Sequence, residues 1–277
     1  MGCCSSKLIL TKETKSINKE TQNITEEIEK KENNENQNEY RNKINLIYST
    51  KSKDEYIIIG RLFFMNNKDN IEIILNGEQK ASNFYLVLEE GENRITIIIK
   101  NKLVDLRCMF CACETLKDIT ELKYLDVSEI KDFESMFSGC CLLSDINALE
   151  NWNVSNGENF SCMFSKCSSL SDISALRNWN IPNCKELNSM FSDCSSLSDI
   201  TPLENWNVSN CTFFTEVFSG CSSLTNITPL KNWNISEGII FSGMFSRCSS
   251  LSDLTPLDSW KALNNVLFNK FFSKMLD

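Results

Sequence analysis

The chain has 277 residues, of which 42% are hydrophobic and 23% charged, and this is enough apolar material for a sizeable core. A formal net charge of -9 gives a surface that repels phosphate backbones, so nucleic acid is not an expected partner. The absence of histidine removes the commonest general base and every histidine-ligated metal site. The composition therefore predicts a protein that is not an enzyme, with no cofactor and no small-molecule substrate.

Residues 1–10 are predicted to form a lipid anchor. The start MGCCSS matches the N-myristoylation pattern, in which Gly2 becomes the acylated amine after the initiator Met is removed. Because one myristoyl chain binds membranes only marginally, stable residence needs a second lipid, and Cys3 or Cys4 can carry it as palmitate. The sequence thus predicts a peripheral, lipid-anchored protein on the cytoplasmic face of a membrane, with the plasma membrane as the expected site.

The sequence shows no predicted export signal that would explain a high cysteine content by disulfide bonds. Leu8 to Leu10 is too short for a signal-peptide core, and no later run approaches the ~18 apolar residues of a membrane span. The 14 cysteines are therefore predicted to be reduced, cytosolic thiols rather than a disulfide framework.

Two different segments precede the second half of the chain. Residues 11–43 are dominated by Lys, Glu, Asn, Gln and Thr, which predicts a disordered polar linker, with one weak helical stripe as the alternative. Residues 44–107 are predicted to form a small β-rich N-terminal cap. Asn76-Gly77 and Glu90-Gly91 supply turns that suit hairpins between its strands. Its apolar runs predict strands: INLIYS, YIIIGRLFFM, IEIILNG, NFYLVLEE and RITIIIK.

Residues 108–277 contain a repeat whose period is 27 residues. We call each unit a coil and number its positions from the first residue of a Met-Phe pair or its equivalent. That residue, position 0, is Met109, Met136, Met163, Met190, Val217 and Met244 in six successive coils. A cysteine follows at position +4 and a leucine at position +7 in each of them. No single coil can bury its own apolar residues, so the coils are expected to stack.

Local patterns predict the elements of one coil. Apolar positions -3, 0, +1, +4 and +7 have the spacing of one face of a short helix. Positions +7 to +10 are expected to be extended and to stack in parallel between coils. Thr201, Pro202 and Glu204 match a capping box, which predicts a second single-turn helix with Thr201 at its N-cap. Together these elements predict an α/β fold, a leucine-rich-repeat-like solenoid of about six coils.

The segments MFSKCSSLSDISALRNWNI and MFSDCSSLSDITPLENWNVSN resemble the repeat of BspA-like leucine-rich-repeat surface proteins, with its MF, CxxLxxL and NW-S signatures. The period is one residue longer than is usual in that family. The resemblance implies a curved solenoid that makes protein contacts and takes part in adhesion. Members are commonly exported, whereas the start of this chain predicts the cytoplasmic leaflet.

Two rows of varying residues are candidate surfaces. Position +14 is the candidate binding surface, and it is occupied by Glu150, Arg177, Glu204, Lys231 and Asp258. Position +3 varies in a similar way, through Gly139, Lys166, Asp193, Gly220 and Arg247. The leading hypothesis is a non-catalytic, membrane-tethered scaffold that binds an unidentified protein partner. The alternative is an exported adhesin of the BspA type.

Two clusters are candidate metal sites. The acidic column at position +9 consists of Asp118, Asp145, Asp172, Asp199, Asn226 and Asp253. It could hold calcium, although Asx turns are the favoured interpretation because these side chains suit that role. Cys108, Cys111 and Cys113 suggest zinc, but a fourth ligand is not evident and Cys113 belongs to an apolar column. No metal is therefore expected.

Overall fold

The computed structural model describes residues 43–79 and 83–261, which belong to one contact unit. The predicted lipid anchor and nearly all of the predicted linker lie outside these residues. Lys43, the last residue of that linker, instead begins the first strand.

Seven strands are present in the described part of the chain. Five form an antiparallel sheet in the order β4-β3-β6-β1-β7, and β2 pairs with β5 in a separate ribbon. Ile44, Leu46 and Tyr48 of β1 are buried while their neighbours are more exposed, as the two-residue period of a strand requires. The strands are β1 (Lys43–Thr50), β2 (Asp54–Ile57), β3 (Ile71–Leu75), β4 (Glu78–Gln79), β5 (Tyr85–Leu88), β6 (Gly91–Ile99) and β7 (Leu116–Asp118).

The β-rich segment departs from the sequence prediction at two places. The run YIIIGRLFFM was predicted as one strand, but β2 ends at Ile57 and helix α1 (Arg61–Asn67) follows Gly60. Phe63 and Phe64 are buried side by side, which a helix achieves and an alternating strand does not. The hairpin predicted at Glu90-Gly91 is also wrong, because β5 and β6 pair with different strands. The Asn76-Gly77 hairpin is confirmed between β3 and β4.

Neighbouring coils are joined by a regular set of backbone hydrogen bonds. The N–H groups at positions -3, -1, +1 and +3 donate to the carbonyls at -4, -2, 0 and +2 of the next coil. In coils 2 and 3, for example, Phe137 N–H donates to Met163 O at 2.9 Å. The N–H groups at positions 0 and +4 donate to the carbonyl three residues earlier in the same coil, as Met136 N–H does to Phe133 O. Each coil is thus bonded both to itself and to the next one.

This arrangement corrects two predictions about the coil. The segment from position -3 to +7 is a series of turns and not a helix, because alternate N–H groups bond to the next coil. Positions -1 and +3 also have positive φ, as at Ser135 (55°) and Lys166 (62°), which an α-helix excludes. The parallel contacts between coils lie near position -4, at Asp132↔Asn159 for example, rather than at +7 to +10.

A short helix follows in each coil, as predicted, but it is of the 3-10 type and has three or five residues. The predicted capping box is wrong: Ile200, not Thr201, occupies the N-cap, and its side chain makes no capping hydrogen bond. Asp199 instead accepts the Thr201 N–H at 2.8 Å. The 3-10 helices are Thr120–Tyr124, Asn147–Leu149, Ser174–Leu176, Thr201–Leu203, Thr228–Asn232 and Thr255–Leu257, and helix α2 (Asp258–Lys261) follows the last.

Columns of identical residues fill the core. The phenylalanine rings at position +1 form a stack of nearly parallel rings, with centroids 5.6–5.8 Å apart from Phe110 to Phe245. The Trp206 Nε1–H donates to Leu176 O of the preceding coil at 2.9 Å, and Trp152, Trp179 and Trp233 make the same bond to the preceding coil. Because each column continues through successive coils, every interior coil is packed on both sides.

Candidate functional site

The three predicted lipidation residues, Gly2, Cys3 and Cys4, lie outside the described residues. Within the described part, no helix combines the length and apolar character needed to cross a membrane. The anchor therefore stays a prediction from the sequence.

The five residues of the candidate binding surface form a row along the 3-10 helices. Glu150, Arg177 and Glu204 are the C-cap residues of their helices, where the backbone is still helical. Lys231 lies within the 3-10 helix Thr228–Asn232, and Asp258 begins α2. All five are exposed, and their charges alternate in sign along the row. Successive 3-10 helices contact each other, so the row follows the direction in which the coils stack.

The position +3 row lies on a different part of the coil, and its backbone is left-handed throughout. Lys166, Asp193 and Arg247 have φ values of 62°, 59° and 60°, although each carries a side chain. Glycine occupies this position in the second and fifth coils, at Gly139 and Gly220. The sequence analysis did not predict that position +3 has a positive φ. The two glycines at this position were the available signal, because glycine adopts positive φ without strain.

A charged row that the sequence analysis did not single out lies at position -5. Glu158 sits between Lys131 and Lys185, one coil away on either side, and forms an ion pair with each; the Lys131 pair is 2.9 Å long. The hydrogen bond from Lys185, followed by that from Lys131, lowers the pKa of Glu158 to about 2. The recurrence of Lys, Glu and Lys at a 27-residue interval was the available signal.

The acidic column at position +9 forms Asx turns, as the favoured interpretation predicted. Each side-chain oxygen accepts the N–H two residues later: Asp145 Oδ1 accepts from Asn147 at 2.8 Å, and Asn226 Oδ1 from Thr228 at 2.9 Å. The same bond is present at Asp118, Asp172, Asp199 and Asp253. A hydrogen bond from the Thr201 hydroxyl, followed by the one from the Thr201 N–H, lowers the pKa of Asp199. The column therefore supports the start of each 3-10 helix.

The cysteines divide into two environments. The position +4 thiols are buried, and from Cys140 onward each donates to a phenylalanine carbonyl of the preceding coil, as Cys194 does to Phe164 O at 3.1 Å. Cys108 and Cys111 are only half-buried. Cys113, the third member of the candidate zinc cluster, is buried, and burial raises the pKa of its thiol. Among the described residues, no group of three or more Cys, Asp or Glu could hold a metal ion.

Comparison with known proteins places the repeats in a family. The family model described as "Mycoplasma protein of unknown function, DUF285" matches residues 104–227 and again residues 172–276. No curated protein and no solved structure matched the chain. The two matched ranges overlap and together cover more than half of the chain, including all six coils. The chain therefore belongs to the DUF285 family, which is a family of BspA-like repeats.

Proposed function

We propose that this protein is a non-catalytic protein-protein interaction scaffold that N-terminal lipids tether to a membrane. Its body would be an α/β, leucine-rich-repeat-like solenoid with a small β-rich cap. The hydrogen bonds and ring stacks that repeat from coil to coil support this class. The lack of histidine in the whole sequence supports a role other than catalysis.

The observation that carries the proposal is the contrast between a uniform core and a variable row of charges. Core positions hold the same residue types in coil after coil, while the exposed row changes from Glu150 to Arg177 to Glu204. Each row residue sits on a short helix held to the coil by an Asx turn and a buried leucine, such as Leu203. Charges presented at fixed spacing favour a protein partner with a complementary pattern, since charge complementarity mainly sets specificity and association rate.

The scaffold hypothesis is tested by reversing charges in the row. The double variant Arg177→Glu with Lys231→Glu should lose proteins that co-purify with the wild-type chain from a membrane extract. The matched control, Lys51→Glu with Arg61→Glu, makes the same change in net charge at two exposed residues outside the row. Equal recovery of every partner by both variants would exclude the row as the binding surface.

The tether is tested separately. Gly2→Ala should move the protein from the membrane to the soluble fraction, because both lipids depend on the myristoylated start. Cys3→Ser with Cys4→Ser should leave weak, reversible binding through the one remaining chain. Unchanged partition of the Gly2→Ala variant would contradict membrane tethering.

Membership in a BspA-like family supports a second candidate, an exported adhesin. The two candidates differ in where the coils lie. Asn153 and Asn207 are exposed and each begins an Asn-x-Ser triplet, so both could carry glycans in an exported protein. Cleavage of the coils by protease added to intact cells, or glycans at these residues, would favour the adhesin over the cytoplasmic scaffold.

A further inference from the structure

The turn that opens the first coil carries two cysteines. The second coil has two serines at the same positions, and the third has one cysteine and one serine. Cys108 and Cys111 occupy positions -1 and +2, which are Ser135 and Ser138 in the second coil and Cys162 and Ser165 in the third. Cys111 N–H donates to Cys108 O at 3.2 Å, so the two residues end one β-turn. The Cα atoms at the ends of a β-turn lie within ~7 Å, and disulfides span Cα distances of ~4.4–6.8 Å.

The two thiols influence each other and are accessible to solvent. The largest influence on the pKa of each thiol is a hydrogen bond to the other, and both residues are half-buried. The thiols of Cys184 and Cys211 also influence each other, but both residues are buried. Accessibility therefore distinguishes the Cys108 and Cys111 pair from the buried one.

The surroundings give the two thiols different acidities. The hydrogen bond from Cys108, followed by the charge of Lys166, lowers the pKa of Cys111 to about 7. The same hydrogen bond, followed by burial, raises the pKa of Cys108, which keeps its proton. At pH 7 about half of the Cys111 side chains are therefore thiolate, while Cys108 keeps its proton.

The backbone of the turn is held from two sides. Gly60 N–H donates to Met109 O at 2.8 Å, and Cys108 N–H donates to Glu134 O of the next coil at 2.8 Å. A Cβ on residue 60 would come within 1.8 Å of the Cys108 carbonyl oxygen, so Gly60 packs directly against the turn. A turn held in this way keeps the two cysteines at its two ends, which favours reaction between them over reaction with a second molecule.

We propose that Cys108 and Cys111 form a reversible thiol-modification site that reacts with low-molecular-weight disulfides. The Cys111 thiolate attacks one sulfur of the small disulfide, which gives a mixed disulfide at Cys111 and releases one small thiolate. Cys108 then loses its proton and attacks the Cys111 sulfur. This step forms the Cys108-Cys111 disulfide and releases the second small thiol. The protein dithiol is oxidised by two electrons, and the small disulfide is reduced to two thiols.

The test uses oxidised glutathione as the small disulfide and the reduced full-length protein at pH 7. Remaining thiols are alkylated, and each cysteine is followed by peptide mass spectrometry, so that Cys3 and Cys4 are measured separately. We expect a Cys108-Cys111 disulfide that dithiothreitol reverses. Cys111 should react roughly fivefold or more faster than Cys162, because its larger thiolate fraction outweighs the lower nucleophilicity that accompanies a lower pKa. Burial raises the pKa of Cys162, which is also half-buried.

Variants separate the two roles. Cys108→Ser should stop the reaction at the mixed disulfide on Cys111, whereas Cys111→Ser should slow it strongly. Lys166→Gly should move the midpoint of the pH-rate profile of Cys111 to higher pH. Glycine already occupies this left-handed position at Gly139 and Gly220, so the fold should tolerate it.

The control Cys108→Ser with Cys111→Ser recreates the turn of the second coil and should retain the thermal stability of the reduced protein. The proposal is overturned if Cys111 reacts no faster than Cys162, or if the mixed disulfide accumulates on Cys111 in the wild-type protein without resolution by Cys108. The same rate for Cys111 in the folded and the urea-unfolded protein would overturn it as well.

Discussion

Arg247 reaches across a whole coil to form an ion pair with Asp193, with Nη1 and Oδ1 2.8 Å apart. Both residues occupy position +3, and Gly220 occupies the same position in the coil between them. A Cβ on Gly220 would lie 2.2 Å from Asp193 Oδ1. The ion pair therefore depends on the absence of a side chain at Gly220.

Gly220→Ala should lower the free energy of unfolding by ~1–2 kcal/mol, because alanine must adopt the left-handed φ of +73° and Asp193 must move away. Urea denaturation measures the loss. Gly139→Ala is the matched control, since its Cβ would meet only ordinary contacts at 3.4 Å or more. A loss at Gly139 as large as that at Gly220 would show that backbone strain alone accounts for the effect.

The opposite change should stabilise the first coil. Ala112 occupies the same left-handed position, with φ 62°, and its side chain is exposed. Ala112→Gly should raise the free energy of unfolding by ~0.5–1 kcal/mol, because the strain removed exceeds the extra entropy of the unfolded glycine. Ala175→Gly, at a buried alanine in a 3-10 helix, should destabilise instead. A loss of stability on Ala112→Gly would contradict this account.

Phe191→Ala should cost ~3–5 kcal/mol, because the ring packs between those of Phe164 and Phe218, 5.8 and 5.7 Å away. Arg177→Glu, at an exposed position, should change stability by no more than ~0.5 kcal/mol. Denaturant melts of both variants decide the assignment of inside and outside. A large loss at Arg177 with a small one at Phe191 would reverse it.

The buried thiols should be protected from reagents. Cys167, Cys194 and Cys221 are buried, and burial raises the pKa of each. We expect slow alkylation at pH 8 in the folded protein and rapid alkylation in urea, measured residue by residue. Cys111, which is only half-buried and has a lowered pKa, serves as an internal positive control. Rapid alkylation of Cys194 in the folded protein would show that the column opens readily.

Glu158→Gln tests the charged row at position -5. Because the folded pKa of Glu158 is depressed to about 2, its ion pairs stabilise the protein above the unfolded pKa of ~4.3, and this contribution is lost as pH falls towards 2. The stability difference between wild type and Glu158→Gln should therefore be present at pH 7 and vanish near pH 2. High salt should also reduce it, because the row is exposed. A difference that is independent of pH would exclude the ion pairs as its source.

Much of the architecture could be predicted from the sequence alone. The 27-residue period of the Met-Phe pairs predicted that the coils stack. One coil alone is too small to bury Phe191, Cys194 and Trp206, so neighbouring coils must cover them. The same period predicted that Glu150, Arg177 and Glu204 share one row. The Asx turns followed from side-chain chemistry, because an Asp or Asn oxygen needs only the N–H two residues later.

Only the tertiary structure decided how the backbone of each coil runs. The spacing of apolar residues from position -3 to +7 suits a helix. A helix, however, would need N–H groups that already donate to carbonyls of the next coil, as Phe137 N–H does to Met163 O. Those bonds between coils hold the left-handed residues and place Arg247 and Asp193 on the two sides of Gly220. Local patterns do not contain this information, because the hydrogen-bond partners lie one full coil away in the chain.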